Sequence, residues 1–296
     1  MSQSRLEIPR RLSCAVDQDD DPGRRAWLAQ LPAQLAELAS RWSLQIGAPY
    51  LPGGCCAWVG ATRDRTGREL VLKAQWRHPE AEHEADALEV WDGDGAVRCF
   101  AADVLGNTIA LLLEPCVPGT QLGSALPEYD QDAVIAGLLR RLWEHQLPED
   151  HRFGTLRAMC DDWADGFERD VANNTRGLDP ELARYAVMML RELPRTAGRS
   201  VLLCTDLHAE NVLASEREPW LVIDPKPFIG DPAYDAVQHM LNCDSRLATN
   251  PVALARRMAE LLGVDPDRLR LWLFARCVQE SWGDETLRDP ARRLAP

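Results

Sequence analysis

The spacing of hydrophobic and polar residues changes period several times along the chain. In "RRAWLAQLPAQLAELASRWSL" the residues Trp27, Leu28, Leu31, Leu35, Leu38 and Trp42 recur at helical spacing, predicting an amphipathic helix interrupted early by Pro32. The next stretch, "GGCCAWVGATRDRTGRELVLKAQW", reads as strand, polar turn and strand, with Leu70 and Leu72 alternating with Val71 and Lys73. Residues 79–91, "PEAEHEADALEVW", predict a second helix, with proline at its start and acids in its first turn. Turn glycines and two or three further strands follow, ending in the apolar run 109–113.

From "VPGTQL" onward the texture is helical over 130–147, 155–173 and 180–194. Strand–loop–strand returns over 201–224, and helices are expected again over 233–242, 251–263 and 266–283. A small β-rich half therefore precedes a larger α-rich half. The expected organisation is a loose N-terminal segment (1–23), a first lobe (24–115) and a second lobe (116–296), with the joint near 114–119.

Composition narrows the function classes. A net charge of −13, from 46 acids against 33 bases, disfavours nucleic acid, whose phosphates demand a basic surface. It is compatible with a cationic small molecule, since acidic clefts concentrate cations. No apolar run approaches the roughly 20 residues that span a bilayer, so no membrane partner is expected. The opening residues have no apolar signal core and carry acids, which makes a cytoplasmic location the expectation. The nine cysteines contain no C-x-x-C, so neither a disulfide framework nor a zinc site is expected, and mostly buried thiols are.

Several motifs are excluded. "GDGAVR" at 93–98 starts like a dinucleotide fingerprint but places Arg98 at the last glycine and follows a helix rather than a strand. Neither G-x-x-x-x-G-K-[ST] nor G-x-S-x-G occurs. "NNT" at 173–175 matches a glycosylation acceptor, with little meaning in a cytosolic chain.

A positive constellation remains. In "LLCTDLHAENVL", Asp206 and Asn211 stand five positions apart, and Asp224 follows in "WLVIDPKP". Phosphoryl transfer in the protein-kinase manner uses an Asp to accept the hydroxyl proton, an Asn five residues later for magnesium, and a second Asp for the metal after the next strand. It also needs a strand lysine for the α- and β-phosphates and a helix glutamate to hold that lysine. Lys73 and Glu84 have that context, with Glu80 and Glu82 as nearby contenders. Taken singly, each is an ordinary residue: a capped polar loop, a turn aspartate, an edge-strand lysine, a first-turn acid. Their joint order across two textures of chain carries the reading.

At these positions "CTDLHAENVL…VIDPKPFIGDPAYD" and "HEADALEVWDGDGAVR" resemble the aminoglycoside phosphotransferase superfamily, most closely its streptomycin 6-kinase and hydroxyurea phosphotransferase branch, over about residues 24–290. The resemblance implies an α+β, protein-kinase-like two-lobed fold, with ATP between the lobes and magnesium as cofactor. Carried over by position, Asp206 is the base, Asn211 and Asp224 hold magnesium, and Lys73 with Glu84 meets the phosphates. Glu114 and Cys116 in "LEPC" offer backbone groups to adenine, and "PGGCCAWV" (52–59) covers the phosphates. Asp231 and Asp235 are expected to brace the catalytic loop and start the next helix, and His208 to pack it. Cys204-Thr205 departs from the His-Gly that usually precedes the superfamily's Asp.

For a cationic acceptor, Asp161, Asp162, Asp165, Glu280, Asp284 and Glu285 are candidate contacts, with Trp163 and Trp282 able to cover a guanidinium. Glu280 and Asp284 are the two singled out. The resulting expectation is a monomeric ATP-dependent phosphotransferase of an aminoglycoside, with streptomycin modified at its 6-hydroxyl. Two alternatives stay open: a kinase of hydroxyurea or another small metabolite, and a catalytically weak nucleotide-binding scaffold.

Overall fold

The computed structural model describes residues 6–174 and 176–296, so Thr175 of the "NNT" triplet lies outside the described residues. The chain divides into two units, one ending at Gly119 and the other starting at Thr120. The division falls a few residues beyond the expected 115/116 joint.

The first unit contains α1 (Arg10–Asp17), α2 (Pro22–Trp42), β1 (Gln45–Pro49), β2 (Ala57–Arg63), β3 (Glu69–Trp76), α3 (Glu84–Trp91), β4 (Cys99–Leu105) and β5 (Thr108–Leu113). Its five strands form one sheet in the order β1-β2-β3-β5-β4, every neighbouring pair antiparallel. β3 is the central strand, so its residues are covered by neighbours on both edges. Alternation along it divides the side chains between faces. Leu72 and Ala74 join Trp58 and Ala110 in a core with Trp27, Leu31, Leu35 and Leu38 of α2. Lys73 and Gln75 consequently point to the opposite face. Trp27 Nε1 is satisfied within this core by Thr108 Oγ1 at 2.8 Å.

Three local expectations are corrected. The segment 1–23 is not loose throughout: α1 places Leu12 and Val16 in the same core, an i, i+4 pair too short to reveal itself as a period. α2 runs on through Pro32, because the buried row from Trp27 to Leu38 outweighs the backbone hydrogen bond that proline removes. The predicted helix 79–91 is broken into a 3₁₀ turn at Pro79–Ala81 and α3, which makes Glu84 the first residue of the α-helix proper.

Strand β6 (Pro118–Gln121) carries the unit boundary. After it come α4 (Leu122–Ala125), α5 (Glu128–Leu142), α6 (Leu156–Asn173), α7 (Pro180–Glu192), β7 (Val201–Leu203), β8 (Val212–Ser215), β9 (Leu221–Val222), β10 (Phe228–Gly230), α8 (Val237–Leu241), α9 (Asp244–Thr249), α10 (Pro251–Leu262), α11 (Pro266–Glu280) and α12 (Arg288–Leu294). The helix starts are written locally. Asp179-Pro180, Asn250-Pro251 and Asp265-Pro266 each pair an N-cap side chain that accepts a backbone N–H with a proline whose fixed φ suits the first turn. β7 pairs with β10 and β8 with β9, both antiparallel. The loop 204–211 joins β7 to β8 and the turn 223–227 joins β9 to β10, so these two pairings bring loop and turn together. Among the described residues no helix is long and apolar enough to cross a membrane.

Candidate active site

In the first unit, Lys73 and Glu84 form a buried ion pair. Lys73 Nζ lies 2.7 and 2.6 Å from the two carboxylate oxygens of Glu84, and the residues are 4% and 0% exposed. Gln75, two residues along on the same face of β3, adds an Nε2 hydrogen bond to Glu84 Oε2 at 2.8 Å. Sequence reading missed Gln75, although its i, i+2 relation to Lys73 was the available signal. Of the contending acids, Glu82 is engaged by Arg77 at 2.9 Å.

Glu114 follows directly on β5. Its N–H donates to Arg98 O at 3.0 Å, and its Oε2 accepts the Arg98 N–H at 2.8 Å. That reciprocal clasp continues the strand pairing one residue past β5 and fixes the backbone leading to Cys116. Residues 52–56 of the expected phosphate-covering loop connect β1 to β2. A shallow cleft of about 690 Å³ beside it, lined by Arg10, Arg11, Cys14, Leu51 and Pro52, lies away from Lys73 and Glu84.

In the second unit the loop 204–211 is shaped by its main chain. The Asp206 N–H donates to Cys204 O at 2.7 Å, and Asn211 Nδ2 donates to Asp206 O at 3.0 Å. The Asn211 carbonyl accepts from Ile223 N at 2.9 Å, tying loop to turn. Asp224 sits at φ +53°, a left-handed conformation that non-glycine residues adopt at a cost and that recurs at functional sites. Its Oδ1 accepts from Lys226 Nζ.

The backbone at Cys204-Thr205 is anchored by Asp235. This fully buried carboxylate accepts the N–H of Thr205 at 2.7 Å, the N–H of Cys204 at 3.1 Å and Trp143 Nε1 at 2.8 Å. Thr205 lies at φ +51°, unusual for a β-branched residue. Its Oγ1 donates to Lys226 O at 2.5 Å, so the hydroxyl adds a bond of its own at a strained position. Burial is the main influence on Asp235 and pushes its pKa up to about 6, against the three donors that favour the anion. Asp231 keeps one of its two expected roles, starting the next helical turn. It caps the turn Pro232–Tyr234 and accepts from Arg268 Nε and Trp272 Nε1, both at 2.6 Å, anchoring α11 rather than the loop. Burial also lowers the pKa of His208.

The acids expected to meet a cationic acceptor are largely engaged by the chain's own arginines. Asp161 accepts Arg195 at 2.9 Å through both oxygens, Asp165 and Glu168 share Arg191 at 2.7 and 2.6 Å, and Glu280 accepts Arg276 at 2.5 Å. Asp284 caps the short turn at Glu285–Leu287. The two tryptophans do cover guanidiniums, but internal ones: Arg276 stands 4.3 Å from the Trp163 ring centre and Arg176 3.9 Å from that of Trp282.

Asp132, His239 and Cys243 also converge, buried, in the second unit. Asp132 accepts from Arg246 at 2.9 and 2.7 Å, from Arg257 at 2.7 Å and from His239 Nε2 at 3.0 Å. Two guanidiniums on one carboxylate make this an ion-pair node joining α5, α8, α9 and α10, unsuited to a cation. Four cysteines are buried (160, 204, 243 and 277) and Cys14 and Cys55 are exposed, fewer buried thiols than expected.

An antiparallel sheet unit with a buried Lys–Glu pair, followed by a helical unit with an Asp…Asn loop and an Asp turn, defines the class of kinase-like phosphotransferases. The chain belongs to the aminoglycoside/hydroxyurea antibiotic resistance kinase family, which matches residues 41–285. It is 34% identical to hydroxyurea phosphotransferase of Kitasatospora aureofaciens over 277 residues, covering 93% of this chain and 79% of the relative. It is 32% identical to streptomycin 6-kinase of Streptomyces glaucescens over 306 residues, covering 100% of this chain and 96% of the relative. The fold is similar to that of aminoglycoside phosphotransferase APH(3'')-Id from Streptomyces rimosus, solved with ADP and streptomycin. There the TM-score is 0.51 at 19% identity, over 84% of this chain and 98% of that one.

Proposed function

We propose that this protein transfers the γ-phosphoryl group of ATP to a hydroxyl of a small-molecule antibiotic, with the 6-hydroxyl of streptomycin as acceptor. The observation that supports it most is the loop-and-turn arrangement in which Asn211 is tied to Asp206 and Asp224 is presented on a strained turn. In this reading the Asp206 carboxylate takes the acceptor's proton while the oxygen bonds to the γ-phosphorus. The bond from that phosphorus to the β,γ-bridging oxygen breaks, and ADP leaves. Lys73, oriented by Glu84 and Gln75, would meet the α- and β-phosphates. The backbone of Glu114 and Cys116 would meet adenine.

The donors suit magnesium. Asn211 Nδ2 is taken up by Asp206 O, so the carboxamide oxygen is the donor it would offer a metal, and with the Asp224 carboxylate that makes an all-oxygen set of the kind a hard cation takes. When bound, magnesium supplies charge neutralisation to the phosphates; Asn211 and Asp224 would hold it. Glu280 and Asp284 are the proposed acceptor contacts, Glu280 by exchanging Arg276 for a cationic group of the drug.

A second reading, phosphorylation of hydroxyurea, draws support from the arginine-paired acids, since a small neutral acceptor needs no open acidic receptor. The purified protein with ATP and magnesium, offered streptomycin, hydroxyurea and other aminoglycosides, separates the two. Streptomycin-dependent ADP release with a phosphate at the 6-hydroxyl is expected. ADP release with hydroxyurea and none with streptomycin would overturn the acceptor assignment.

A further inference from the structure

Lys226 is tied to both halves of the loop-and-turn arrangement. Its N–H donates to Cys204 O at 2.9 Å and its carbonyl accepts Thr205 Oγ1 at 2.5 Å, so its backbone is fastened to the two residues before Asp206. Its side chain turns back across Pro225 to place Nζ on Asp224 Oδ1. The two partners are unevenly shielded, with 14% of the lysine side chain and 37% of the aspartate side chain exposed. The ammonium is thus held against the carboxylate by a short, proline-stiffened link, with little freedom to leave by bending the backbone.

We propose that Lys226 is the resident counter-ion of Asp224: its ammonium occupies a carboxylate oxygen that magnesium would take, and metal binding proceeds by displacing it. This rests on the reading of Asp224 as a metal-holding residue. The physical reason is charge. Asp206, Glu210 and Asp224 gather on one loop and one turn of an acidic chain. The Asp224 carboxylate is partly withdrawn from water, which weakens the solvent's screening of its charge against these neighbours. A lysine on a two-residue link compensates that charge whenever the metal is away. It also opposes the metal by direct competition and by repulsion. As a positioning residue, Lys226 would set how tightly the nucleotide–metal complex is held and ease its departure after transfer by re-engaging the carboxylate.

Manganese titration followed by the electron paramagnetic resonance of the free ion, at saturating ADP, tests this without turnover. Lys226→Met and Lys226→Gln should each bind Mn²⁺ more tightly than the unmodified protein, by about fivefold for loss of one competing ion pair. Lys226→Arg, which keeps the charge, should stay close to the unmodified protein. A purely structural lysine would give unchanged or weaker binding in both neutral variants, and that result would overturn the proposal. Absence of Mn²⁺–ADP binding in the unmodified protein would instead remove the kinase reading itself. Two neutral side chains of different polarity keep the comparison decisive if one of them impairs folding, which circular dichroism would reveal.

Discussion

Glu84 accepts hydrogen bonds from Lys73 on both of its carboxylate oxygens, in a pocket that excludes water from the acid entirely. A buried pair of this kind is costly to assemble and costlier to break, because removing one partner strands the other's charge. Glu84→Gln is therefore expected to lower stability by about 3–5 kcal/mol in urea denaturation. It should also raise the KM for ATP and reduce kcat/KM about 10²-fold through a misplaced lysine.

Asp206→Asn should retain nucleotide binding while kcat falls by about 10²–10⁴, the range for loss of a general base. Calorimetric titration with ADP and steady-state rates with the identified acceptor measure the two effects separately. A kcat within twofold of the unmodified protein would remove Asp206 from the role of base.

Asp235 makes a pH prediction with a definite sign. Its folded pKa of about 6 lies above the ordinary carboxylate value because of burial. Between about pH 4 and 6 the folded chain holds a proton that the unfolded chain has released. The contribution of this group to stability is consequently largest at the acid end and diminishes as pH rises across that window, by up to about 3 kcal/mol. Asp235→Asn should flatten this dependence. Because an amide offers one acceptor oxygen to three donors, it should also destabilise the loop at neutral pH. Denaturation curves at several pH values between 4 and 7 measure both.

Asp132 behaves in the opposite sense. Burial would raise its pKa, but His239, Arg246 and Arg257 outweigh that and hold it below the usual range. Its stabilisation is present above about pH 4 and is lost as pH falls toward the folded value. Asp132→Ala should cost about 3–5 kcal/mol at pH 7. The gap to the unmodified protein should narrow in acid.

Thr205→Val keeps the shape and removes only the hydroxyl that bonds Lys226 O. A loss of about 0.5–1.5 kcal/mol in thermal or urea denaturation is expected. Thr205→Gly should stay nearer to the unmodified protein, since glycine adopts φ +51° without strain and offsets the lost bond.

The parts legible in the sequence are those written by period and by fixed spacing. The alternation in β3 and the change to helical texture after residue 118 mark the two units, and Asp206…Asn211…Asp224 marks a loop and a turn. Partnerships made across distant segments were less legible. Asp235 as the acceptor for Cys204, Thr205 and Trp143 could be expected only as bracing, because no local pattern specifies which backbone N–H groups a buried carboxylate will meet. The arginines that engage Asp161 and Asp165 were hidden for a related reason. Acids on amphipathic helices look open until neighbouring helices bring their cations. Pro32 misled through its own strong local rule, overridden by the row of buried residues around it.

The family match begins at residue 41, whereas α1 and α2 lie almost wholly before it. Those two helices nevertheless roof the sheet that carries Lys73, laying Leu12, Val16, Trp27 and Leu31 over Trp58, Leu72 and Ala74. The segment that the family model matches and the length of chain that completes this core are therefore different. Trimmed to residues 41–285, the protein would keep every proposed active-site residue and still present a greasy, roofless sheet to water.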